Sequence, residues 1–321
     1  MPAMLKRLIP DPFVIILVGV VAFAALLPAK GAALEGVAML SNAAIFALFF
    51  FHGLRLSHAA VWAGLKQWRL QLIILGFGFC AMPLAGLALA TIMLSVLEPG
   101  LWIGVLFLCA LPSTVQSAIA YSSLGGGNVA ASLIAAALSN LLGIVLTPLV
   151  VALLVTVSGA DVGLSAIVKI SALLLLPFAL GQVMQHWLKS WAERNKVWIS
   201  RMDKLTIILA VYAAFSAAVG DGTLDQLSLV QLLMLLVVVS ILLAFAMIAT
   251  WTLGGALGFA REDRITLLFS GSHKTLATGA PMARILFPGP EAGLIIIPLM
   301  LYHQLQLIVS AWLAVKLNRA T

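Results

Sequence analysis

Two stretches of this chain set hydroxyl, amide and basic side chains inside runs that are otherwise hydrocarbon. The first reads Leu106-Phe107-Leu108-Cys109-Ala110-Leu111-Pro112-Ser113-Thr114-Val115-Gln116-Ser117, continues through Tyr121-Ser122-Ser123 and closes on Gly125-Gly126-Gly127-Asn128. The second reads Leu267-Leu268-Phe269-Ser270-Gly271-Ser272-His273-Lys274-Thr275-Leu276 and closes on Pro288-Gly289-Pro290. Ser132, Ser139 and Asn140 follow the first, and His303, Gln304 and Gln306 follow the second. Oxygen-rich groups with freed backbone carbonyls can hold a small cation or orient a polar solute, and paired interrupted segments in two halves of a chain point to a transporter's binding site. The plainer reading is that Ser and Thr bond their own i−4 carbonyls and that Gln116 joins helices. It explains any one of these residues more easily than it explains two matched clusters. Gln116, Ser117, Asn140, His303 and Gln304 are expected to line the meeting point of the two stretches, because their polar groups need partners in a dry interior.

Lys274 is the one clear cation deep in such a run. A charge at the bilayer centre costs at least about 2.5–3.5 kcal/mol, so it must be paired, solvated or functional. Its expected partners are carbonyls of the broken stretches and the side-chain oxygens of Gln116 and Ser117. Lining an aqueous cleft that draws in an anion, or relaying a proton with His273, are the other roles open to it.

The elements that position these residues follow from composition. Of the 321 residues 63% are hydrophobic and only 9% charged, with a mean hydropathy of +1.16. Soluble domains carry roughly 25% charged residues, so the bilayer is the solvent here. Apolar segments fall near 12–28, 36–54, 70–96, 102–123, 128–157, 164–187, 203–220, 228–258, 264–286 and 291–315, which predicts ten spans of an all-α membrane protein. With a cytoplasmic start, one side collects fourteen Lys and Arg residues and the other only Lys30 and Arg284, with Lys169 and Lys274 inside segments. Cytoplasmic loops carry the basic excess, so both termini are expected inside. Lys6 and Arg7 before the run from Phe13 also resemble a signal peptide, but a first span has the same look. A division near Ser158 to Asp161 leaves five segments on each side, residues 1–160 and 161–321, and an odd number inverts the second half.

Other classes fit poorly. The net charge of +7 is spread over short loops, so nucleic acid is not an expected partner. No H-E-x-x-H, G-x-S-x-G or G-x-x-x-x-G-K-[ST] motif is present, so neither an enzyme nor a nucleotide-driven pump is expected. Cys80 and Cys109 are expected to be buried free thiols. His52, His58 and His186 read as packing residues, Pro83, Pro148, Pro177 and Pro298 as kinks, and Trp102, Trp187 and Trp198 as interfacial anchors.

At the Pro112-Ser113-Thr114 to Tyr121 stretch, Gly127-Asn128-Val129-Ala130-Ala131-Ser132, Leu146-Thr147-Pro148 and Ser270-Gly271-Ser272-His273-Lys274, the chain resembles the bile acid:sodium symporter superfamily, in its sodium-bile-acid-symporter-like branch. The resemblance covers nearly the whole chain. It implies ten helices in two inverted five-helix repeats, with a panel domain of helices 1, 2, 6 and 7 and a core of helices 3–5 and 8–10, and with broken helices 4 and 9 crossing. It implies an organic anion in the cleft, and in the core two sodium ions. By position Gln116, Ser117 and Ser132 match ligands of the first sodium site, and Phe269 to His273 match the second. Ser113, Thr114, Asn128, Ser139, Asn140, Ser270, Ser272, His273, Lys274, His303 and Gln304 complete the candidate ion and substrate site.

The sequence departs from the sodium-coupled pattern. All eleven acidic residues lie at or near segment ends, and position 136 is Ala where a further hydroxyl could stand. No cofactor other than sodium is implied, and the coupling ion stays open. The expected function is secondary transport of an organic anion across the cell membrane, with a regulatory membrane protein that kept the fold but lost transport as the alternative. Lys274 could then act as a tethered surrogate for one sodium ion.

Overall fold

The computed structural model describes residues 12–55, 67–93, 95–157 and 164–318. Lys6, Arg7, Asp11, His58, Lys66, Arg319 and the division expected at Ser158 to Asp161 lie outside the described residues. Among the described residues all regular structure is helical. In chain order the helices are α1 (Pro12–Leu26), α2 (Ala32–Arg55), α3 (Trp68–Gly76), a π-helical turn (Phe77–Ala81), α4 (Met82–Ile92), α5 (Pro99–Ala110), α6 (Gln116–Leu124) and α7 (Val129–Val157). They continue as α8 (Leu164–Arg194), α9 (Lys196–Gly220), α10 (Leu229–Ala256), α11 (Arg261–Ser272), α12 (Leu276–Leu286) and α13 (Glu291–Asn318), with a 3-10 turn at Thr223–Gln226.

Six helical stretches among the described residues are long and apolar enough to cross a membrane: Ala32–Arg55, Trp68–Ile92, Val129–Leu154, Lys196–Gly220, Leu229–Ala256 and Glu291–Asn318. Large apolar side chains such as Leu26, Ile92, Leu229 and Ile248 face outward, an arrangement that hydrocarbon tolerates. α9 starts several residues before the apolar run near 203, because its basic first turns can stay helical while their charged tips sit at the membrane surface. Two expectations are corrected. Cys80 is exposed on the π turn, although Cys109 is buried and both are free thiols. Trp102 is no surface anchor: it is buried in α5, where the rest of the helix packs against α13 and α4.

α2 packs against α8 and α9 and α1 against α9, while α8 also meets α7 and α9 also meets α12 and α13; α5, α7, α10, α11 and α13 lie around the two interrupted stretches. α2 and α8 touch backbone to backbone: a Cβ on Gly53 would lie 2.1 Å from the Phe178 carbonyl oxygen, and one on Gly181 2.1 Å from that of Phe50. Only glycine permits that approach. Gln185 in α8 then donates to the Leu54 carbonyl at 2.9 Å.

The interruptions are true breaks. α5 ends at Ala110, where Pro112 disfavours helical backbone at the residue before it and Leu111 is extended at φ −72°, ψ 151°. α11 ends at Ser272, with His273 extended at φ −78°, ψ 142° and no proline to require it. Helix resumes at Gln116 and at Leu276. The two breaks meet, since the Thr275 N–H donates to the Pro112 carbonyl at 3.0 Å.

Candidate solute and ion site at the helix breaks

A broken helix inside a membrane must find partners for the backbone groups it frees. In the first break each carbonyl from residue 109 to residue 113 has one. Thr147 Oγ1 donates to Ala110 at 2.9 Å, the Thr275 N–H to Pro112, and Asn140 Nδ2 to Ser113 at 2.9 Å. The carbonyls of Cys109 and Leu111 both accept from Lys274 Nζ, each at 2.7 Å. The Ser113 N–H, which would have closed a helical bond to Cys109, donates instead to Ser139 Oγ at 2.9 Å.

The third bond of the Lys274 ammonium runs to the Gly78 carbonyl at 2.9 Å. That oxygen is free for a sequence-coded reason. The Met82 N–H, its helical partner, bonds Phe77 across the π turn, and the next residue is Pro83, which has no N–H. Sequence reading treated Pro83 as a kink and missed Gly78. A proline five residues after a glycine in a membrane segment was the available signal.

The second break is held by α13. Gln306 Oε1 accepts the Lys274 N–H at 2.8 Å and Gln306 Nε2 donates to the Lys274 carbonyl at 3.0 Å. Tyr302 donates its hydroxyl to the Ser272 carbonyl at 2.7 Å. His273 reaches across to the first break: Nδ1 lies 3.3 Å from Thr114 Oγ1 and 3.1 Å from Ser117 Oγ, and Nε2 lies 2.8 Å from Ser310 Oγ. Tyr302 and Ser310 were not among the expected site residues. They stand one helical turn before and one turn after Gln306, the spacing that puts side chains on one helix face.

In front of the breaks lies an open cavity of about 850 Å3. Thr114, Gln116, Ser117, Asn140, His303 and Gln304 line it. Ser113, Ser132, Ser139, Ser270, Ser272, His273 and Lys274 lie buried and are not part of its wall. Ser132 bonds Ser122 and Ser270 at 3.2 and 3.1 Å, a hydroxyl chain separate from the contacts of Ser117. Asn128 stands away from the cavity: its Oδ1 caps α7 at the Ala131 N–H, and its Nδ2 donates to Asp263 at 2.9 Å. Ser272 bonds its own i−4 carbonyl, at Leu268.

The first turns of α6 and α12 both open onto this cavity, at Gln116 and Ser117 and at Leu276, Ala277 and Thr278. Neither helix has a side-chain cap. The leading N–H groups of a helix have no intrahelical acceptor and carry a partial positive charge. Thr278 Oγ1 and Gln304 Oε1, beside them, are buried without a hydrogen-bond partner. At the rim Arg55 pairs with Asp203 at 2.6 Å, with Lys204 alongside. The arrangement suits a ligand with a negative group at one end and an apolar body. It offers no metal cluster: among the described residues no three His, Cys, Asp or Glu side chains gather.

The profile of the SBF-like CPA transporter family matches residues 11–319. The chain is 45% identical to Uncharacterized protein PA2026 of Pseudomonas aeruginosa, over 98% of this chain and 94% of that one. It is 44% identical to the Escherichia coli (strain K12) protein named "Putative symporter YfeH", over 97% of this chain and 94% of that protein. Sodium/bile acid cotransporter 7 of Mus musculus is 28% identical over 91% of each chain.

Proposed function

The chain belongs to the SBF-like CPA transporter family, and on that premise we propose that it carries a small organic anion across the cell membrane by exposing the cavity at the helix breaks to one side and then the other. The observation that carries this reading is the pair of uncapped helix starts, at Gln116 and Leu276, facing one cavity. Half-helix N-termini aimed at a common point attract an anionic group without a fixed basic side chain. The apolar wall supplied by Phe49, Leu141, Ile144 and Phe178 would receive the rest of the solute.

The fold reading that accompanies it is ten spans in two inverted repeats, 1–160 and 161–321. On this count α3 with α4, α5 with α6, and α11 with α12 each make one span. The set α1, α2, α8, α9 would be the panel and the remainder the core. Contacts between distant segments support the count. Arg55 with Asp203, Asn128 with Asp263, and Arg261 with the Leu317 carbonyl join positions assigned to the cytoplasmic side. The Glu98 N–H with Gln231 joins positions assigned to the other. Both termini are then cytoplasmic.

Counterflow in proteoliposomes tests the transport reading, with labelled bile acids and labelled short-chain carboxylates as probes. Wild-type protein should exchange at least one of them. Gln116→Leu should abolish exchange while inserting normally, because it replaces the polar side chain at the start of α6. A wild type inert to every probe would favour the non-transporting membrane protein, and an active Gln116→Leu would remove that side chain from the site.

A further inference from the structure

Lys274 sits behind the cavity and is not part of its wall, with 1% of its surface exposed. That position excludes direct contact between its side chain and a solute in the cavity. Its ammonium has three N–H donors and meets three backbone carbonyl oxygens, of Gly78, Cys109 and Leu111, at 2.9, 2.7 and 2.7 Å. The side chain carries no bond to His273, whose two ring nitrogens are engaged with Thr114, Ser117 and Ser310. Among the described residues the one ion pair is Arg55 with Asp203, far along the chain at the rim, so carbonyl dipoles alone balance the Lys274 charge.

The three carbonyls come from different origins. Those of Cys109 and Leu111 end α5, where the helix dipole is negative. That of Gly78 is released by the π turn and Pro83. Three such oxygens aimed at one buried point make a cation seat, since a neutral hydroxyl has a single proton to offer and would leave two unsatisfied. Unwound carbonyls and half-helix C-terminal ends are the groups with which broken-helix transporters coordinate sodium or protons.

We propose that the Lys274 ammonium is a cation built into the chain, occupying the seat a free sodium ion would otherwise take where the two breaks meet, so that the crossing is organised without sodium being bound. The side chain starts on the second break and ends on the first and on the π turn. It therefore ties three segments together in the way a shared ion would, but it cannot dissociate. The inference deepens the transport reading by removing sodium from this position. Its test uses no solute and so succeeds or fails separately from transport.

The test is sodium-22 binding and thermal melting of the purified full-length protein in detergent, in sodium chloride or choline chloride of equal ionic strength. Wild type should bind no saturable sodium and melt alike in both salts. Lys274→Ala should melt roughly 5 °C or more lower in choline. Sodium should restore at least half of that loss, with one saturable sodium site gained. Lys274→Met, which fills the channel without charge, should lose stability and gain no sodium site. If Lys274→Ala does not accumulate, Lys274→Ser, which adds a hydroxyl oxygen to the seat, should gain the same saturable site. Saturable sodium binding by wild type would overturn the proposal. So would small variants that melt like wild type in choline, or that lose stability without responding to sodium.

Discussion

The two breaks look alike in outline and are built differently. The first, at Leu111 to Val115, is favoured by Pro112, which biases Leu111 toward extended backbone, and its freed carbonyls are met by donors. The second, at His273 to Thr275, has no proline and stays open because Gln306 takes both backbone groups of Lys274 and Tyr302 takes the Ser272 carbonyl. One break supplies oxygens, and the other supplies the cation that satisfies them. The difference teaches that two breaks that meet need not share chemistry: they are complementary, and each is incomplete without the other.

The largest effect should come from the break that depends on its neighbour. Gln306→Leu leaves the buried Lys274 N–H without its acceptor and takes from the Lys274 carbonyl the amide N–H it accepts at 3.0 Å. An unsatisfied buried group costs about 1–3 kcal/mol, so the variant should lose roughly 2–5 kcal/mol and melt well below wild type. Equal melting would mean that the second break holds itself open.

Asn140→Leu should cost less, about 1–3 kcal/mol, because it removes a donor from the Ser113 carbonyl while Pro112 still keeps the backbone extended. A loss larger than that of Gln306→Leu would reverse the comparison. Thr147→Val, which takes the donor from the Ala110 carbonyl, should fall at about 1–2 kcal/mol in the same melting assay.

Ser310→Ala should be the mildest, at about 0.5–1.5 kcal/mol, since it removes one side-chain partner from His273 and leaves Thr114 and Ser117 in place. A larger loss would show that His273 is anchored from α13. Orientation can be checked without any stability measurement. A cysteine at Asn195, between α8 and α9, should resist impermeant thiol reagents added to intact cells, in a background with Cys80 replaced, and labelling there would overturn the cytoplasmic assignment.

How much was readable beforehand varies with the range of the force involved. Hydropathy and the polar interruptions are local facts, and they led to the membrane, to the two stretches and to six residues that line the cavity. Pro112 acts on the residue before it, so the first break was equally local. The second break was legible only as a polar cluster, because what keeps it extended comes from α13 some thirty residues away. Lys274 was expected to use Gln116 and Ser117 as well as carbonyls, yet those two face the cavity while the ammonium turns behind it.

The amino-acid sequence alone determined the solvent of this protein and one place where a helix is biased to stop. A run of apolar residues resists hydration, and Pro112 disfavours helical backbone at the residue before it. Only the tertiary structure decided which carbonyls meet the Lys274 ammonium, and that Asn128 caps a helix while Asn140 supports a break. Hydrogen bonds between distant segments depend on how the helices pack, and packing of apolar faces in a bilayer leaves little periodic signal in the order of residues.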